Sequence, residues 1–155
     1  MRRNQRLMDG LAAVCALVLV AGCAQTRTSG SAAAAERAME LAGLEGGWVL
    51  REVDGRPVAG SKAELVFVAA SGELRGSDGC NRLIGRFTLE AGRLAAKAAS
   101  TRMACLSEPA AAVSRTLGAL LADGAQATEV TLDGRRGLRL RGAAGQVVFE
   151  RSAQP

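Results

Sequence analysis

Apolar positions along the chain fall at two spacings, and the switch between them marks the elements. Trp48 to Val53 is an apolar, β-prone run that stops at Asp54-Gly55, a tight-turn pair with Pro57 just behind it. Glu64 to Val68 is a second short run, closed by Ala70-Ser71-Gly72, and Glu73 to Ser77 is expected to pair back on it. Ile84 to Glu90 and Arg93 to Ala98 read as a hairpin turning at Ala91-Gly92. Phe87 and Leu89 alternate there with Arg86 and Thr88, the period of two that puts one face in a core. The spacing then becomes helical. Val113, Leu117, Leu120 and Leu121 form a stripe, with Ser114 and Arg115 off it, predicting one main helix over about 110–122. Ser107 is a fitting N-cap, Pro109 suits the first turn, and Asp123-Gly124 ends the helix. Strands return at Glu129 to Leu132, with a turn at Asp133-Gly134. Leu138 and Leu140 then face one way and Arg139 and Arg141 the other. Gln146 to Glu150 closes with Val147 and Phe149 on one face. About eight short strands with Gly-rich turns predict a mainly β (α+β) fold, an antiparallel barrel or sandwich whose helix covers an open end or edge. Glu36 to Leu44 predicts about two further helical turns, ended by Gly43 and Gly46-Gly47.

The first residues do not fit that domain. Arg2, Arg3 and Arg6 precede a nearly continuous apolar run, Leu11 to Gly22, well short of the roughly 20 residues a spanning helix needs. A basic start, a short apolar run and small residues before a cut describe a secretory signal, expected over 1–22. Val20-Ala21-Gly22-Cys23 resembles a bacterial lipobox, which implies acylation (palmitate-type) of Cys23 as the first mature residue. Ala24 after it, rather than Asp, implies the outer membrane by the same resemblance, with the domain facing the periplasm. Arg2-Arg3 lacks the remainder of a twin-arginine signal. Residues 23–43 are then the lipidated Cys23 and a low-complexity tether, 44–151 the domain, and 152–155 a tail.

Composition narrows the chemistry. The 155 residues suggest one domain, and 48 % hydrophobic content supports a core that must be mostly aliphatic, because aromatics make up 3 %. Setting aside Arg2, Arg3, Arg6 and Asp9 with the signal leaves 17 basic and 14 acidic groups. That mild, dispersed excess does not predict nucleic-acid binding. The chain has no histidine, which removes imidazole catalysis. Asp54, Asp78, Asp123 and Asp133 sit beside turns, where turn chemistry explains them better than a glycosidase carboxylate pair. No enzyme activity, cofactor or metal is predicted.

Two cysteines remain in the domain, Cys80 and Cys105, 25 residues apart. In an oxidising compartment this even pair is expected to form a disulfide. A structural zinc site would ask for four Cys or His ligands, and a thiol nucleophile for a neighbouring base. Asp78, Asn81, Arg82 and Arg102 flank the pair, so a bridge would gather them. One reading makes them a polar binding site. The other has Asn81 satisfying a turn and Arg82 pairing locally with Asp78. Trp48 reads as core.

Leu44-Glu45-Gly46 with Trp48 and Leu50, then Asp54-Gly55-Arg56-Pro57, resembles the opening of a META domain, also called HslJ-like. Gly79-Cys80-Asn81-Arg82 and Ser100-Thr101-Arg102-Met103-Ala104-Cys105 resemble its two signature segments. The resemblance covers about residues 44–151. It implies a compact barrel of lipocalin-like topology with one main helix, an envelope location and a link to heat shock and other stress, but no known reaction. Leu83-Ile84-Gly85-Arg86-Phe87 replaces the family's frequent Phe-Ser-Gly-Ser-Tyr, and Leu106 replaces a frequent proline. Both departures weaken the case for an aromatic contact surface. The expected function is thus a non-catalytic, monomeric, lipid-anchored envelope protein. It would act by binding, in stress tolerance or outer-membrane integrity, with the membrane and an unidentified envelope protein as partners. The alternatives are an inhibitor of a secreted lysozyme or protease and, less favoured, a small-ligand carrier.

Overall fold

A computed structural model describes residues 36–153. The predicted signal, Cys23, most of the tether and the last two tail residues lie outside the described residues. The described part falls within one compact unit, Ala32–Pro155. Its elements run β1 (Arg37–Ala38), α1 (Leu41–Leu44), β2 (Gly46–Val53), β3 (Arg56–Pro57), β4 (Ala63–Val68), β5 (Glu73–Asp78), β6 (Arg82–Glu90) and β7 (Arg93–Ser100). They continue through α2 (Glu108–Asp123), β8 (Ala125–Leu132), β9 (Arg135–Gly142) and β10 (Gly145–Arg151).

Eight of the strands close into an antiparallel barrel. Neighbours follow chain order from β4 to β7 and from β8 to β10, with β2 between β4 and β10 and a β7–β8 ladder completing the ring. β3 is a two-residue ribbon folded back on β2. The turns obey the sequence signals. Asp133 and Gly134 take φ 47° and 79°, and Ala91 and Gly92 take φ 48° and 76°. Two consecutive left-handed residues are what a two-residue hairpin turn requires.

The β7–β8 seam is short, only Arg93 with Gln126 and Leu94 with Ala125. α2 connects the two strands across it and packs on β5, β7, β9 and β10. Ser107 caps the helix by accepting from the Ala110 N–H, and the Arg93 guanidinium donates to the Asp123 carbonyl at the other end. Val113, Leu117, Leu120 and Leu121 are its buried stripe.

The barrel interior is filled. Trp48, Phe67, Phe149, Leu65, Leu74 and Leu138 are fully buried there. The Trp48 indole N–H donates to the Leu44 carbonyl at 2.8 Å, and Phe67 meets Phe87 edge-to-face at 5.0 Å. Trp48 is therefore core, as expected.

Between Glu36 and Leu44 the two expected helical turns reduce to one, Leu41–Leu44. Arg37 and Ala38 instead pair with Glu129 and Thr128 of β8, and the Met39 N–H bonds to the Ala127 carbonyl. β8 has a free edge beyond its short ladder with β7, and pairing there outcompetes a short helix that is marginal by itself. β8 also starts at Ala125, earlier than the predicted Glu129. Ala125 and Ala127 have little β-propensity, yet both fill the core. Among the described residues no helix is long and apolar enough to cross a membrane.

Candidate functional site

The two segments carrying the cysteines meet at one end of the barrel. The first is the turn between β5 and β6, and the second is the connection from β7 to α2. A Cys80–Cys105 disulfide joins them, with Cα atoms 5.3 Å apart. β5 and β6 are adjacent, and β7 runs beside β6, so the Arg82 and Ser100 ends of these strands bring the cysteines together.

Asp78 organises this junction. It is 5 % exposed, the one buried charged side chain among the described residues. Its Oδ1 accepts the backbone N–H groups of Cys80 (2.8 Å) and Asn81 (2.6 Å). Its Oδ2 accepts the Ser114 hydroxyl from α2 (2.7 Å) and the Asn81 amide (3.3 Å). Burial pushes the Asp78 carboxyl up. The hydrogen bonds from the Asn81 N–H, the Ser114 hydroxyl, the Cys80 N–H and the Asn81 amide together outweigh that, so it is held below its ordinary value. A carboxylate with four donors on its two oxygens is a poor proton acceptor at neutral pH. Its role here is to tie the turn to the helix.

Asn81 ties the turn to the second segment. Its Oδ1 accepts the Met103 N–H at 2.8 Å. Beside it the Arg82 N–H donates to the Thr101 hydroxyl and the Thr101 N–H to the Arg82 carbonyl. The backbone donors of the turn are consumed internally, since the Gly79 N–H is also taken, by the Ser77 hydroxyl. The turn therefore has no free N–H cradle to offer an anion.

The structure brings Asp78 and Asn81 together but not Arg82 with Asp78. The local Asp78–Arg82 pairing does not form, because Asp78 is buried and filled by other donors while the Arg82 side chain points into solvent. Arg82 and Arg102 are both exposed and have no carboxylate partner among the described residues. Ser114 is the member that sequence reasoning missed. It lies one position off the buried stripe of α2, and only the approach of β5 reveals its use. Among the described residues no group of three or more His, Cys, Asp or Glu side chains could hold a metal ion.

Two shallow grooves flank the junction. One, of about 850 Å³, runs over the outer ends of β4 to β7 and is lined by Lys62, Glu64, Arg75, Arg82, Ile84 and Met103 among others. The other, of about 670 Å³, lies between the loop after β3, the disulfide and the start of α2, with Met103, Leu106 and Val58 on its walls. Lys62, Gly79, Cys80 and Met103 line both, so they form one continuous surface.

A family model described as META domain matches residues 39–154. The chain belongs to the META domain family. The META domain is not a known enzyme family. A solved structure of similar fold, titled "NMR structure of the protein from Burkholderia xenovorans", aligns with a TM-score of 0.55 and 25 % identity. That alignment covers 74 % of this chain and 87 % of the other. No curated protein matches.

Proposed function

We propose that this META domain is a non-catalytic, lipid-anchored protein of the bacterial envelope. It would be held at the outer membrane through Cys23 and support stress tolerance or membrane integrity by binding. The observation that carries this reading is the stapled end of the barrel. A disulfide, a buried carboxylate and Asn81 hold an exposed apolar and cationic surface on a rigid base. Ordering such a surface in advance removes entropy that a partner would otherwise have to overcome. The packed interior gives no support to the carrier alternative, since Trp48, Phe67 and Phe149 occupy the space a small ligand would need.

Fractionation of cells producing the full chain tests this reading. The wild-type chain should enter the membrane fraction and incorporate a fatty-acid probe, and Cys23→Ser should do neither. Equal labelling of the variant, or a wild-type chain recovered only in the soluble fraction, contradicts it. The role itself is read from detergent and heat sensitivity of cells lacking the protein, which should be restored by the wild-type gene.

A further inference from the structure

Four large apolar side chains are exposed among the described residues, and three of them stand at the stapled end. Leu106 is 101 % exposed, Met103 66 % and Ile84 61 %; the fourth, Leu41, belongs to α1. All three border the continuous surface described above. Leu106 and Met103 project from the β7–α2 connection, so the surface offers raised apolar points beside shallow grooves. Exposing such groups costs free energy that burial elsewhere would recover.

Charge sorts the possible occupants. Lys62 and Arg82 line this surface and Arg102 immediately precedes Met103. All three are exposed and none has a carboxylate partner among the described residues. Several cations elsewhere among the described residues pair with carboxylates, although Arg37, Arg56 and Lys97 do not. Arg51 and Arg135 share Glu150, Arg136 pairs with Glu129, and Arg139 pairs with Glu36. Glu64 is the one carboxylate lining either groove. Projecting apolar tips ringed by unpaired cations suit a fluid apolar phase under an anionic skin better than a shaped protein pocket.

We propose that this end of the barrel docks onto an anionic phospholipid surface. Met103 and Leu106 enter the boundary between headgroups and acyl chains, and Lys62, Arg82 and Arg102 meet the lipid phosphates. The staple gives this mode its stiffness, because Asn81 holds the Met103 backbone and the disulfide fixes the residue before Leu106. The proposal rests on the envelope reading only for its setting. The described chain enters at the opposite end, where Ala38 lies beside the Gly92 turn. The 14 residues from Cys23 to Glu36 reach about 45 Å when extended. Strands of eight residues span about 26 Å, so an anchored domain can turn this end to the bilayer.

The test uses the chain from Ala32 onward, the compact unit that contains the whole barrel and its core. It is floated with vesicles of phosphatidylcholine alone or with about 30 % phosphatidylglycerol, and far-UV circular dichroism confirms the fold of each variant. A basic side chain at an anionic surface contributes about fivefold in affinity, so three predict a preference on the order of a hundredfold for the anionic vesicles. Raising salt from about 50 to about 500 mM should erode most of it. The double variant Lys62→Glu, Arg82→Glu should bind both vesicle types alike. Met103→Ser with Leu106→Ser should weaken binding at least about fivefold, as loss of apolar insertion demands. Leu41→Ser, at the other end, should change nothing. Equal binding of the wild-type chain to both vesicle types, no binding to either, or indifference to the charge reversal overturns the proposal. Capture of an acidic protein through the same side chains without lipid would also overturn it and assign the surface to protein recognition. This chain lacks Cys23, so its failure here leaves acylation and anchoring untouched, and failure of acylation leaves this result untouched.

Discussion

Replacing Asp78 by alanine should cost more than any other polar substitution in this domain. The change leaves the Cys80 and Asn81 N–H groups and the Ser114 hydroxyl without their acceptor, at a position only 5 % exposed. Hydrogen bonds to a charged group contribute about 1.5–3 kcal/mol each. The bonds share one carboxylate, and water can reach part of the site after truncation, so they do not add in full. A total of about 3–4 kcal/mol is expected. Urea unfolding followed by the fluorescence of Trp48, the single tryptophan, reads it directly. A cycle with Ser114→Ala should return a coupling of about 1–2 kcal/mol. The same carboxylate predicts a pH dependence. Its folded pKa lies below the unfolded value, so its contribution is fully present above the unfolded pKa and is lost as pH falls through the folded one, below about pH 4. Asp78→Asn should flatten that part of the acid limb. A cost below about 1 kcal/mol for Asp78→Ala, or an acid limb identical in wild type and Asp78→Asn, refutes the hub.

Removing the disulfide as Cys80→Ala with Cys105→Ala should lower stability by about 3–4 kcal/mol, the chain-entropy value for a 25-residue loop. The barrel should survive, with far-UV circular dichroism unchanged. Gly76→Ala should destabilise by at least about 2 kcal/mol. Its Cβ would lie 2.0 Å from the Glu64 carbonyl oxygen at a φ of 151°, so β4 and β5 must part; thermal unfolding measures this. Leu117→Ala should cost about 2–5 kcal/mol by emptying a fully buried place under the helix, again read by urea unfolding.

The parts of this fold legible in the sequence are those set by local chemistry. Leu138 and Leu140 alternate with arginines because one face of β9 is core. Asp133-Gly134 can only be a tight turn, and the spacing of Val113, Leu117 and Leu120 suits only a helix. Closure of the barrel is different. It pairs Arg151 with Trp48 across most of the chain, and nothing in either segment names the other. The same holds for Arg37 and Ala38, which become a strand because β8 has a free edge. At the candidate site, position in sequence identified Asp78, Asn81 and the cysteines. It misassigned the partner of Asp78, since Arg82 is nearer in sequence while Ser114 is nearer in space. Charge alone favours the arginine. Burial favours small donors that cost little to desolvate, and in the folded chain burial decides.

The stapled end must be rigid although it is a surface loop. Amide hydrogen exchange of Asn81 and Met103, resolved by NMR, tests that most directly. Their N–H groups donate to Asp78 and to Asn81. Both should therefore exchange as slowly as amides in β6, and Asp78→Ala should release both. Exchange of either in the wild-type domain at the rate of an unstructured peptide would contradict the account.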